Sequence, residues 1–247
     1  MPDRYQETAP AAPLAPAVSC LWTRTAGTAA VARVVPDGCT DLIFGVGGGN
    51  GLQVAGPDTV AHVTRPAAGT TVVGIRFRPG AGPAVLGVPG HELRDGRVPL
   101  DALWPDAEVR RLAERIGEAV DRAGDPAAGL APLAEAVGRR LVTPDPAAAV
   151  VCELMAKGSG VPDAAAAVGL GERQLHRRCL AWFGYGPKVL QRVLRFQRAV
   201  RLAGSGLGYA DVAATIGYAD QAHLARDVRA LSGVTLAELL SVRTPAT

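Results

Sequence analysis

The stretch "YADVAATIGYADQAHLARDVRALSG", residues 209–233, reads as a helix, a tight turn on Gly217 and a second helix. Ala213 is small enough for close helix contact, Ile216 is apolar, and Gly217 can adopt the positive φ that such a turn requires. In the second helix Leu224, Val228 and Leu231 fall at i, i+4 and i+7 and form one apolar stripe. That stripe leaves Gln221, Ala222, Ala225, Arg226 and Arg229 facing outward, with Asp220 placed as the N-cap. Guanidinium forks and an amide on the first turns of a short exposed helix suit the major groove of DNA. There Arg pairs with the guanine edge and Gln with the adenine edge, while Ala offers only a methyl contact.

The unit occurs twice. "AAAAVGL" (164–170) matches "VAATIGY" (212–218), pairing Ala165 with Ala213, Val168 with Ile216 and Gly169 with Gly217 at a constant offset of 48 residues. After the first glycine, Leu175, Cys179 and Trp182 form the buried stripe, and Arg173, Gln174, His176 and Arg177 point outward. Between the units lies "GPKVLQRVLRFQRAVRLAGSG", with Pro187 at a helix start and an apolar stripe of Val189, Val193, Phe196 and Val200. Its other face carries Lys188, Arg192, Arg195, Arg198 and Arg201. A helix over residues 187–203 is about 25 Å long. It could hold two recognition helices at a separation comparable to the roughly 34 Å pitch of DNA.

These segments resemble the C-terminal DNA-binding domain of the AraC/XylS-type transcription regulators. The resemblance covers residues 161–240 and rests on "GERQLHRRC", "GPKVLQRVLRFQRAVRLA" and "YADVAATIGYADQAHLARDVRALSGVT". It implies that Arg173, His176 and Arg177, and Gln221, Ala222, Ala225 and Arg226, lie where the family contacts bases and phosphates. It also implies a regulator of transcription that is not an enzyme, with double-stranded DNA as partner, a small-molecule effector, and RNA polymerase and a second copy of the chain as further partners. The chain departs from the family where Leu224 replaces an aromatic residue and where Leu236 and Leu240 replace a Pro and a Tyr. Upstream, "VPDGCTDLIF" and "VGIRFRPGAG" resemble an uncharacterised β-rich domain that precedes this DNA-binding domain in bacterial regulators, which implies a cupin-like sensor or dimerisation module.

The residues support that division independently. Over residues 31–79 short β-type segments ("VARVV", "DLIFGV", "TVAHVT", "TTVVGIRFR") alternate with "PDG", "GGGNG", "GPD" and "PAAG", predicting an antiparallel sheet in a small sandwich or open barrel. Val73, Ile75 and Phe77 alternate with Gly74, Arg76 and Arg78, giving one apolar face. Val109, Leu112, Ile116 and Val120 then predict an amphipathic helix ending at Gly124, followed by a helix over 131–141 and another opened by Asp145 and Pro146. The expected fold class is α+β: a flexible Pro/Ala-rich lead over 1–18, a β-rich domain with flanking helices over 19–157, a linker at "KGSGVPD", and an all-α domain with two helix-turn-helix units over 161–243.

Charge is unevenly spread across the 247 residues: residues 161–247 hold 11 Lys/Arg against 6 Asp/Glu, and the remainder 15 against 17. A basic end fits a polyanionic partner. No uninterrupted apolar run reaches the length of a membrane span, and the N-terminus lacks the pattern of a secretory signal, so no membrane partner and a cytoplasmic location are expected. Cys20, Cys39, Cys152 and Cys179 show no CxxC pairing, and Cys39, Asp41, His62 and His91 lack metal-ligand spacing; neither a cofactor nor a metal is expected. Two other readings remain: a cupin-like enzyme or ligand-binding protein, although no nucleophile, base and orienting group lie together, and an alkylation- or redox-responsive regulator using Cys39. Arg65, Arg76 and Arg78 form either an anion site or a salt-bridged sheet surface.

Overall fold

The computed structural model describes residues 3–27, 31–47 and 51–242. The chain runs through strands β1 (Arg4–Thr8), β2 (Val18–Thr25), β3 (Ala32–Val34), β4 (Thr40–Val46), β5 (Leu52–Ala55), β6 (His62–Thr64) and β7 (Thr71–Phe77). Short helices α1 (Gly82–Leu86) and α2 (Gly90–Leu93) lead to β8 (Arg97–Pro99). Beyond it the chain is helical: α3 (Asp106–Ala123), α4 (Leu130–Arg139), α5 (Pro146–Lys157), α6 (Val161–Ala167), α7 (Glu172–Phe183), α8 (Pro187–Gly204), α9 (Tyr209–Ile216), α10 (Gln221–Ser232) and α11 (Leu236–Val242). The fold class is α+β, as the segment patterns predict.

Six strands form one antiparallel sheet in the order β1-β2-β7-β4-β5-β8, and β3 pairs with β6 in a separate two-stranded ribbon. The alternation in β7 works as expected: Val73, Ile75 and Phe77 are fully buried in one core with Leu42, Ile116 and Leu133, so α3 and α4 cover that face. The opposite face is mixed, with Trp22 and Ile43 beside Asp41 and Arg76. Trp22 Nε1 donates to Asp41 Oδ1 at 2.8 Å, and Arg76 Nε lies 3.3 Å from the same carboxylate.

Three expectations need correction. The lead over 1–18 is not simply flexible, because residues 4–8 pair with Leu21–Thr25 of β2 and Leu14 and Ala17 are buried. The helix expected over 131–141 spans Leu130–Arg139. More consequentially, α5 does not belong with the sheet: Ala148, Val151 and Met155 pack with Ala164, Ala165, Leu175, Cys179, Trp182, Phe183, Leu190 and Val193. "KGSG" is therefore a turn inside the helical part, closed by the Ser159 amide donating to Leu154 O at 3.0 Å and by Gln191 Nε2 donating to Ser159 O at 2.9 Å. The Gly-rich turn expected at 47–51 falls partly on residues 48–50, which lie outside the described residues, as does position 243.

Each half of the helical region has its own core. Helix α8 contributes Leu190 and Val193 to the first, and Phe196, Ala199, Val200 and Ala203 to the second, with Val212, Ala213, Ile216, Leu224, Val228 and Leu231. The predicted stripe on α8 is right except at Val189, which is 38% exposed while Leu190 takes the buried place. Leu224 and Leu236 are buried and Leu240 packs partly buried against the same core, so the apolar substitutions in this region keep the core filled.

Candidate nucleic-acid interface

Both turns of the repeated unit have the geometry that their sequence requires. Gly169 and Gly217 adopt φ of 68° and 79°, a left-handed conformation available to Gly at little cost; Gly217 caps α9 directly and Gly169 follows the Val168 cap of α6. Ala165 and Ala213 are buried behind those turns, where a larger side chain would push the helices apart. Helices α7 and α10 follow as the second members of the pairs.

On α10 the Asp220 carboxylate accepts from the His223 amide at 2.6 Å, as expected of an N-cap. Leu224, Val228 and Leu231 are buried, while Gln221, Ala222, Ala225, Arg226 and Arg229 are all exposed. On α7 Leu175, Cys179 and Trp182 are buried, and Arg173, Gln174, His176 and Arg177 are exposed. Two of these side chains already have local work. Gln174 Oε1 accepts from the Gly171 amide at 2.9 Å, capping α7. The His176 ring packs over Gly186 at the start of α8, so closely that a Cβ there would come within 2.7 Å of Nε2.

The basic face of α8 divides. Arg192 Nε donates to Asp227 Oδ1 at 2.6 Å, and Arg195 Nη2 lies 3.5 Å from Oδ2 and sits over the Tyr218 ring at 4.3 Å. Tyr218 Oη donates to the same carboxylate at 2.8 Å. Burial pushes the Asp227 carboxyl up, but these hydrogen bonds and the two Arg charges outweigh it and leave its pKa below the ordinary value. Arg192 and Arg195 thus tie α10 to α8. Lys188 and Arg201 remain exposed on α8.

Spacing alone puts Arg192 and Arg195 on the basic face of α8 and gives Asp227 no role. The missed signal was an acidic residue three positions after Leu224, on the buried side of the helix, opposite two arginines three residues apart. At Cys39 burial, with the Asp37 and Asp41 charges, pushes the thiol well above its usual range, which disfavours an activated thiolate there. Arg76 is engaged by Asp41, and Arg78 Nε donates to Ala15 O at 2.8 Å, as in a salt-bridged sheet surface. Among the described residues no group of three or more His, Cys, Asp or Glu could hold a metal ion, and no helix is long and apolar enough to cross a membrane.

A family model described as a helix-turn-helix domain matches residues 164–241, and one described as a domain of unknown function (DUF6597) matches residues 6–99. No curated protein matches. Among solved structures, the chain is similar to a transcriptional regulator (AraC-type DNA-binding domain-containing proteins) from Chromobacterium violaceum, at 22% identity and TM-score 0.38 over 41% of this chain and 96% of that one. A probable AraC family transcriptional regulator from Rhodopseudomonas palustris CGA009 is 23% identical, with TM-score 0.35 over 41% of this chain and all of that one (100%). ToxT from Vibrio cholerae is 9% identical, with TM-score 0.46 over 99% of each chain. Residues 164–241 of this chain thus form a helix-turn-helix domain, and residues 6–99 a domain of the DUF6597 family.

Proposed function

We propose that the chain is a DNA-binding transcription regulator that reads double-stranded DNA through α7 and α10. The observation that carries this reading is the pair of helix-turn-helix units, each presenting an exposed polar face: Arg173, His176 and Arg177 on one, Gln221, Arg226 and Arg229 on the other. Phosphate contacts from Lys and Arg supply most of the affinity and its salt dependence, while the two helices supply register and base choice. Ala222 and Ala225 offer no hydrogen bond, so base reading by α10 is concentrated on Gln221 and Arg226. The test is fluorescence anisotropy with the chain's own upstream DNA and a scrambled duplex over a salt series. A complex with the upstream DNA that outlasts the scrambled one as salt rises supports sequence reading; equal loss on both sinks it.

The same reading gives the N-terminal domain the role of a sensor for a small-molecule effector. The place to test it is a shallow, open groove between α1 and α7, lined by Gly80, Pro83, Val88, Asp145, Arg178 and Trp182, where a ligand would touch both parts of the chain. A ligand in that groove should raise the melting temperature and change DNA affinity together; one without the other rules out a sensor role for the groove. Pairing of two chains and contact with RNA polymerase extend the proposal, with DNase footprint length and polymerase co-binding as their tests.

A further inference from the structure

The N-terminal domain reaches the second helix-turn-helix unit through its two-stranded ribbon. Arg33 of β3 donates through Nη1 to Ser232 O at 2.6 Å, and the Ala61 amide beside β6 donates to Leu231 O at 2.7 Å. Both acceptors belong to the last turn of α10, whose carbonyls have no partner within the helix and carry the negative end of its dipole. Gly233 closes the helix at φ 76°, and a Cβ there would stand 3.1 Å from Arg33 Nη1, so the glycine leaves room for the guanidinium. Val35 packs against the core of the second unit, and Gln197 of α8 donates to Pro36 O. The ribbon therefore grips α10 at the end away from Gln221, Ala222 and Ala225, and the outward residues stay exposed with the ribbon in place. It braces the helix without covering its outward face.

We infer that Arg33 is a positioning residue for DNA reading: a side chain of the N-terminal domain that caps α10 and holds it in the orientation in which its outward face meets DNA. The inference rests on the DNA-binding function proposed above. A contact of this kind acts through preorganisation. Without it, α10 spends part of its time in other orientations, and apparent affinity falls by the fraction of competent molecules. A charge-assisted hydrogen bond to the carbonyl of the buried Ser232 makes that loss about three- to tenfold.

The test uses the full chain. Selection from a random duplex pool with the wild type yields the bound sequence, and the positions that become tolerant in Arg226→Ala mark the box read by α10. Affinities of wild type, Arg33→Ala and Arg33→Lys are then measured on duplexes with both boxes, with the α10 box scrambled and with the α7 box scrambled, alongside melting temperatures. The expected result is a three- to tenfold loss for Arg33→Ala wherever the α10 box is intact, no change where it is scrambled, and recovery in Arg33→Lys, which can still donate to the carbonyl. Equal losses on every duplex with a lowered melting temperature would make Arg33 a merely structural residue and overturn the inference. Unchanged or tighter binding by Arg33→Ala would overturn it as well, the latter by showing a restraint on binding. Failure of the wild type to enrich any sequence would overturn the DNA-reading function itself, and the inference with it.

Discussion

At Asp227 a carboxylate only 7% exposed accepts from Arg192 and Tyr218, so its charge is part of the fold rather than of the surface. Asp227→Asn keeps the shape but leaves two guanidinium groups facing a neutral amide. It should cost about 1–3 kcal/mol in urea unfolding at pH 7, discounted from a fully buried pair because Arg192 is 44% exposed. Since the native carboxyl is held below its ordinary pKa, its stabilisation is present above about pH 4 and fades as pH falls through the native value. The gap between wild type and variant should therefore close in acid. Asp41 runs the other way. Burial raises its carboxyl to about 6 in spite of Arg76, so the native state holds that proton more tightly than the unfolded chain does. Its ionisation then costs stability progressively from about pH 4 to pH 6, and the cost is fully present at pH 7. Asp41→Asn, which keeps an oxygen for Trp22 Nε1, should gain on wild type as unfolding is followed from pH 4 to pH 7; a constant difference would refute the shift. Arg226→Ala belongs to function: if Arg226 reads a base, specific binding drops by about 1–3 kcal/mol while random DNA is bound as before.

Elements built from local rules were legible in the sequence. The turn of each helix pair needs a small residue, an apolar residue and a glycine in fixed order, and "AAAAVGL" and "VAATIGY" show all of them in a span of seven residues. Gly217→Ala should accordingly cost about 1–2 kcal/mol, the penalty of a Cβ in the left-handed region, and chemical denaturation would measure it; the open space around that position excludes a clash as the cause. Elements were misread where local chemistry points one way and packing the other. "KGSG" has the composition of a linker, yet its backbone is consumed by the end of α5 and by Gln191 of α8. β1 has too few apolar residues to announce a strand, since it is an edge strand whose five residues are all exposed and it is defined by pairing with β2. On α8 the register differs by one position at its start, because Leu190 competes with Val189 for the same buried place.

At the scale of the whole molecule the decisive contacts join residues far apart in sequence, such as Arg33 with Ser232 and Gln197 with Pro36, and periodicity carries no trace of them. The first helix-turn-helix unit meets the N-terminal domain through a different device. Gly90 of α2 and Gly184 after α7 approach so closely that a Cβ on Gly90 would lie 2.6 Å from the Gly184 amide nitrogen, and one on Gly184 would lie 2.9 Å from Gly90 O. Neither obstacle is a flexible side chain that could swing away, so any substitution must separate the two backbones. Tyr185 follows Gly184 and is 2% exposed beside Gly38, so separation also uncovers an aromatic ring. Gly90→Val should leave both parts folded but undock the first unit from the sheet domain. The expected signs are faster proteolysis around residues 141–145, where the chain passes between the two cores, and replacement of one thermal transition by two. A variant that unfolds in one transition at a lower temperature would instead mean that the sheet domain and the helical units form a single cooperative body, in which an effector bound on either side of the junction acts on the stability of the whole.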